Sequence, residues 1–145
     1  MLATAIRIAA QVHENHKDKG GNAYILHPMR VMMRLRTSDE ELMAIAILHD
    51  VIEDSAWTPE LLKDSGMSDR VITALGFLTK QPTDTYEMYI ERMVFNRDAM
   101  IVKLQDLKDN SDISRMKGLR EKDFDRLVKY NKAYAFLEGK LKETK

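Results

Sequence analysis

The run Ile47-Leu48-His49-Asp50-Val51-Ile52-Glu53-Asp54-Ser55 places one imidazole and three carboxylates close together in the chain. Glu53 follows His49 by four residues and Asp54 follows Asp50 by four, so on a helix each pair lies about one turn apart on neighbouring faces. Buried without a partner, such a cluster would repel itself and lose its hydration. A divalent cation removes that objection. Two further polar residues interrupt apolar text in the same way. His27 stands in Tyr24-Ile25-Leu26-His27-Pro28, and Asp106 in Ile101-Val102-Lys103-Leu104-Gln105-Asp106-Leu107. His27, His49, Asp50 and Asp106 together make a mixed nitrogen and oxygen donor set, which suits zinc, manganese or iron and disfavours sulfur-seeking ions. Four protein donors leave room for water and substrate only above four-coordination, which favours manganese or iron over tetrahedral zinc.

Taken singly, each residue has a plainer role. A histidine in an apolar stripe is more often a hydrogen-bonded core residue. Asp106 alone reads as a cap or as a partner of Lys103, and Glu53 and Asp54 alone read as a solvated helix face. Only the ordered set is specific: His, then His-Asp, then Glu-Asp, then a distant Asp in an apolar segment.

The elements that must position this set read as helices. Leu2, Ala5, Ile6, Ala9 and Val12 recur at helical spacing and predict a helix to about His16. Lys17 to Tyr24, with Gly20-Gly21-Asn22, reads as a loop. Pro28 can open a helix that runs to about Arg36. Ser38 or Asp39 can cap the next helix, whose inward stripe is Leu42, Ile45, Ala46, His49 and Ile52. Thr58-Pro59 opens a short helix ending near Gly66, and Ser68 caps another carrying Val71, Ile72, Leu75 and Leu78. Asp84 with Glu87 fits a capping-box-like start. Ala99 to Asp109 is helical, and Leu127, Tyr130, Tyr134, Leu137 and Leu141 alternate steps of three and four. No useful β-alternation is present. The fold class is all-α, a globular bundle of about seven to nine helices. Residues 1–145 read as one domain, with the C-terminal helix at about 122–142.

Composition narrows the function. There are 23 basic and 23 acidic residues with a pI near 6.9, which argues against a generic duplex nucleic-acid or membrane-surface protein. The chain has no cysteine, so disulfides, thiolate zinc sites and a cysteine nucleophile are excluded. No apolar run approaches the ~18 residues of a membrane span, and Arg7 interrupts what would be a signal-peptide core. The expectation is a soluble, cytoplasmic protein. The ten methionines are expected chiefly to fill gaps in the core.

The ordered set, with its flanking text, resembles the HD-domain phosphohydrolases, specifically the hydrolase domain of RelA/SpoT-type enzymes and the single-domain small alarmone hydrolases. The matching text is Ala9-Ala10-Gln11-Val12-His13-Glu14, Tyr24 to Pro28, Ile47 to Ser55, Leu78-Thr79-Lys80, and Val102 to Asp106 followed by Asn110. It covers about Ala5 to Lys117. The resemblance implies that His27, His49, Asp50 and Asp106 ligate a single Mn2+, with Fe or Zn as other ions the donors accept. It implies that Glu53 and Asp54 activate and orient the attacking water, and that Lys19 and Asn110 lie near the nucleotide. The implied activity is removal of the 3′-pyrophosphate from guanosine tetra- or pentaphosphate, giving GDP or GTP and pyrophosphate. Lys17, Lys103, Lys108, Arg30 and Arg34 are further candidate cations for so anionic a substrate. The chain departs from the family in two places. Asp18-Lys19 stands where a basic pair is usual, and Leu107-Lys108-Asp109-Asn110 replaces the common Arg-Leu-His-Asn. These departures bear on base recognition, so another nucleotide, such as NADPH losing its 2′-phosphate, and a non-catalytic nucleotide-sensing module are the competing readings. The helix of Leu127 to Leu141 can dock on its own core or on a second subunit in a homo-oligomer; docking on its own core is the reading taken.

Overall fold

A computed structural model describes residues 1–144. The described residues form nine α-helices and two single-turn 3-10 segments, with no strand among them. The helices are α1 (Leu2–Val12), α2 (Leu26–Arg34), α3 (Glu40–Leu48), α4 (Val51–Asp54), α5 (Pro59–Asp64), α6 (Asp69–Leu78), α7 (Tyr86–Arg92), α8 (Arg97–Asn110) and α9 (Glu121–Lys142). The 3-10 segments are Met93–Phe95 and Ile113–Arg115. One isolated antiparallel bridge joins Lys17 to Ala23.

The centre of the bundle is α3, which packs against α1, α2, α6 and α8. Leu42 and every residue from Ala44 to Leu48 are buried. The expected stripe therefore widens to nearly the whole circumference, because Ala44, Ile47 and Leu48 are apolar as well. A helix apolar all round belongs inside a core. Its first turn stays at the surface. Asp39 caps it by accepting the N–H groups of Glu41 and Leu42, and also pairs with Arg70 on α6, which reaches Glu41 and Asp98 too. One guanidinium thus ties the starts of α3 and α8 to α6.

Several expected boundaries move, each for a local reason. Helix α1 ends at Val12, not His16, because the chain turns into a hydrogen-bonded loop. The Tyr24 N–H donates to the His16 carbonyl at 2.9 Å, and the Asp18 N–H to that of Asn22 at 2.8 Å. Helix α2 starts upstream of Pro28, at Leu26, so the proline still sits in a first turn where its missing N–H is no loss. It stops at Arg34 because Arg36 takes φ 49°, a left-handed conformation that ends helices. The expected continuous helix through Ile52 breaks after Leu48 and resumes as the single turn α4. Thr85, not Asp84, caps α7 by accepting the Met88 N–H. Asp84 instead forms a two-pronged pair with Arg92, and those hydrogen bonds pull its pKa down to about 2. Thr58 and Ser68 cap α5 and α6 as expected. Helix α9 lies along α8 and buries Ala133 and Leu137, so it docks on its own core.

Ile45 is fully enclosed at the middle of α3. Ile45→Ala is expected to destabilise the protein by about 2–5 kcal/mol in urea unfolding; a loss under about 1 kcal/mol would mean that α3 is not the centre of the core.

Candidate metal centre and substrate cleft

Three pieces of backbone bring the expected donors together. His27 is the second residue of α2, His49 and Asp50 form the break between α3 and α4, and Asp106 projects from α8. The break at His49-Asp50 has a structural use. It frees the chain from the α3 axis and turns both side chains toward α2 and α8. His27, His49 and Asp106 are buried, and Asp50 is partly open.

The geometry is tight. Asp106 Oδ1 lies 2.8 Å from His27 Nε2 and 3.2 Å from His49 Nε2. Asp50 Oδ2 lies 3.0 Å from His49 Nε2 and 3.9 Å from His27 Nε2. Among the described residues, His27, His49 and Asp50 form the group whose ligand atoms all lie within 4.8 Å of one another. Bonds of about 2.0–2.2 Å from such donors to one ion put neighbouring donors roughly 3–3.5 Å apart. The separations of 3.0 and 3.2 Å fall in that range, those of 2.8 and 3.9 Å lie just below and above it, and both imidazoles present Nε2. His49 has its Nδ1 committed to the Ala46 carbonyl at 2.7 Å, a bond that requires the proton on Nδ1.

The electrostatics point the same way. Burial opposes charge on His27 and His49, but the carboxylates of Asp106, Asp109 and Asp50 more than offset it and hold both pKa values above the usual range. Neighbours that favour a proton at those nitrogens also favour a metal cation. Burial likewise opposes charge on the aspartates, yet Lys103 and His49 keep Asp106 well below the carboxylate range, and His49 draws Asp50 down to about 2. Tyr24 donates its hydroxyl to Asp50 Oδ2 at 2.5 Å; burial and the Asp50 charge push its pKa far up, so it stays a donor.

Glu53 and Asp54 stand on the exposed rim of α4. The Asp54 N–H still donates to the Asp50 carbonyl at 3.0 Å, so the one-turn spacing survives the helix break. Glu53 accepts the Lys80 N–H, tying α4 to the turn after α6. Partial loss of solvent, with the nearby Asp50 charge, raises the pKa of both carboxyl groups.

Lys19 and Asn110 line one cleft of about 290 Å³ together with Lys17, Gly20, Tyr24, Arg115, Arg126 and Tyr130. Asn110 also donates to Asp106 Oδ1 at 3.1 Å. Partial burial and the Arg126 charge lower the Lys19 pKa, with Asp123 acting against them, and Asp18 and Asp112 also line the cleft. Gly20 is fixed by close approach: a Cβ there would lie 2.8 Å from the Arg115 carbonyl oxygen. Asp18, which stands where the family has a basic residue, accepts the N–H groups of Gly20 and Asn22 and so shapes the loop.

The other candidate cations divide. Lys17 lines the cleft. Lys103 is committed to Asp106 Oδ2 at 2.7 Å, and Arg30 and Arg34 to Asp109. Lys108 lies over the Tyr134 ring. Two residues that the sequence analysis left without a role touch the centre. Tyr24 bonds Asp50, and fully buried Asp109 bonds His27 Nδ1 at 2.7 Å. Asp109 carried a signal, since it follows Asp106 by three residues and so shares its helix face.

A helical fold whose α2 and α3–α4 break bring two imidazoles and one carboxylate within 4.8 Å of one another, with Asp106 of α8 hydrogen-bonded to both imidazoles, is of the HD-domain class. The chain is 34% identical over 116 residues to the guanosine-3′,5′-bis(diphosphate) 3′-pyrophosphohydrolase of Haemophilus influenzae, covering 71% of this chain and 17% of that protein. It is 29% identical over 119 residues to the enzyme of the same name in Aquifex aeolicus, covering 75% and 17%. It is also 38% identical over 69 residues to the one in Danio rerio, covering 43% and 38%. The chain thus spans about a sixth of the two bacterial relatives. Its fold is that of a solved metazoan ortholog of SpoT described as hydrolyzing ppGpp, with a TM-score of 0.76 at 22% identity, covering 98% of this chain and 92% of that one. No protein-family model matches. By these similarities the chain has the HD-domain fold and resembles the RelA/SpoT-type hydrolases over 116 residues.

An ion held by these four donors would stabilise the folded state. At a hundredfold excess over its Kd, Mn2+ is expected to add about 2.7 kcal/mol and raise Tm by several degrees. Asp50→Ala should remove most of that rise; an equal rise in the variant would place the ion elsewhere.

Proposed function

We propose that the protein hydrolyses the 3′-pyrophosphate of ppGpp and pppGpp, giving GDP or GTP and pyrophosphate, with one divalent metal, Mn2+, held by His27, His49, Asp50 and Asp106. The observation that carries this reading is the convergence of four donors from separate elements beside a basic cleft. The names of the relatives supply the substrate. A metal bound there would lower the pKa of a bound water and offset charge on phosphoryl oxygens.

The remaining work falls to side chains. Asp54 or Glu53, with a raised pKa, takes the proton of the attacking water as a general base. The water oxygen bonds to the phosphorus attached to O3′, the P–O3′ bond breaks, and the leaving oxygen takes up a proton. Lys17 and Lys19 offset the negative charge of the nucleotide in the cleft, with Arg115 and Arg126, which also pair with Asp112 and Asp123, at its wall. Asn110, hydrogen-bonded to Asp106, joins the cleft to the metal donors.

Asp18 supports a second reading. Its carboxylate is committed to the loop, so this position offers no cation to stack on a guanine. A nucleotide losing a 2′-phosphate, NADPH for example, would then release orthophosphate instead. Among the described residues no helix is long and apolar enough to cross a membrane, and we infer a cytoplasmic site of action from the soluble substrate.

With Mn2+, the protein is expected to release pyrophosphate from ppGpp, and a chelator should abolish the reaction. Asp54→Asn should lower kcat by about 10²–10⁴-fold while Mn2+ still raises Tm. Orthophosphate as the product would favour the second reading, and unchanged turnover in Asp54→Asn would remove Asp54 from the chemistry.

A further inference from the structure

The two imidazoles of the centre are backed differently. His49 leans on a neutral backbone carbonyl, that of Ala46. His27 leans on a charge: its Nδ1 lies 2.7 Å from Oδ2 of Asp109, a residue with no solvent exposure. Helix α8 therefore holds the His27 ring at both nitrogens. Asp106 meets Nε2 at 2.8 Å and Asp109 meets Nδ1, from positions three residues apart on one helix face.

Three guanidinium groups surround the Asp109 carboxylate. Arg30 Nε donates to Oδ1 at 2.8 Å and its Nη2 to Oδ2 at 3.1 Å. Arg34 reaches Oδ1 at 3.5 Å. Arg115 reaches Oδ2 at 3.5 Å and donates to the Asp109 carbonyl at 2.9 Å. Arg30 alone could satisfy both oxygens in the two-pronged manner usual for Arg–carboxylate pairs. Yet the shortest bond to Oδ2 comes from His27. A clamp between α2 and α8 needs no such bond.

We propose that Asp109 is a positioning residue for the metal centre. It fixes the His27 proton on Nδ1, aims the Nε2 lone pair at the ion and strengthens the imidazole as a donor, and the three arginines moderate how much negative charge reaches the ring. This rests on the metal reading of the four donors. Carboxylates behind ligating histidines are a general way of orienting and tuning them. Arg115 also lines the substrate cleft, so the backing of a metal ligand and the nucleotide cleft share one side chain.

Calorimetric titration of the whole chain with Mn2+ tests this. Asp109→Asn keeps the shape and removes the charge; it should retain its circular dichroism and bind Mn2+ about 10–100-fold more weakly. The visible absorption bands of the Co2+-loaded variant should also shift, because they report donor strength at the ion. Leu62→Ala, a fully buried change in α5, should lower Tm and leave both readouts alone, which separates positioning from lost stability. Should Asp109→Asn not fold, Arg30→Gln carries the test: with the Asp109 charge less offset, it should bind Mn2+ more tightly and shift the Co2+ bands. A folded variant with unchanged affinity and unchanged Co2+ bands overturns the proposal. A wild-type protein that binds no Mn2+ overturns the metal reading on which it rests, and the two failures are distinct.

Discussion

One buried carboxylate organises the centre of this protein. Asp106 sits among His27, His49, Lys103 and Asn110, each within hydrogen-bond reach of one of its oxygens. A lone carboxylate in that position would be expelled or protonated. It remains charged because α2, α3 and α8 deliver positive or donating groups to it from separate directions. The demand runs in reverse as well: for Asp106 to be satisfied, the three helices have to meet at the observed spacing. Removing one partner from such a buried set is costly, whereas the complete set is stable and specific.

The helices meet because α3 is buried around most of its surface and α1, α2, α6 and α8 pack on it. The core is apolar up to Leu48, and the first polar residues after it are His49 and Asp50. Helix α3 therefore ends where the core ends, and the imidazole and carboxylate appear at that edge. Glu53 and Asp54 lie one turn farther out, at the rim facing solvent. Along a few residues of chain the side chains thus pass from apolar interior to buried His49 and partly open Asp50 to the exposed acids Glu53 and Asp54. Burial strengthens the interactions among His27, His49 and Asp106, while Glu53 and Asp54 keep contact with solvent.

Much of this was legible in the amino-acid sequence. The polar residues that interrupt apolar text, His27, His49 and Asp106, are the ones brought together, because a buried polar group needs a partner and the partners had to be one another. Caps at Thr58 and Ser68 were readable from side-chain chemistry alone. What failed to show were effects of tertiary competition. The break between α3 and α4 has no glycine or proline to announce it. Asp84 looked like a cap, but Arg92, eight residues on, bound it more strongly than the helix end could. Arg30 and Arg34 looked available to a substrate until Asp109 was seen to occupy them. Asp109 had no expected role, since only the fold brings it to His27. The cleft was visible only as scattered residues, because its walls come from the Lys17–Tyr24 loop, the end of α8, Arg115 and α9.

Anomalous scattering at the manganese edge, from crystals grown with Mn2+, addresses the central claim directly. A single strong peak bounded by His27 Nε2, His49 Nε2, Asp50 and Asp106 is predicted. A peak elsewhere, or none at those four side chains with Mn2+ in excess, would contradict the assignment of this cluster as the metal centre.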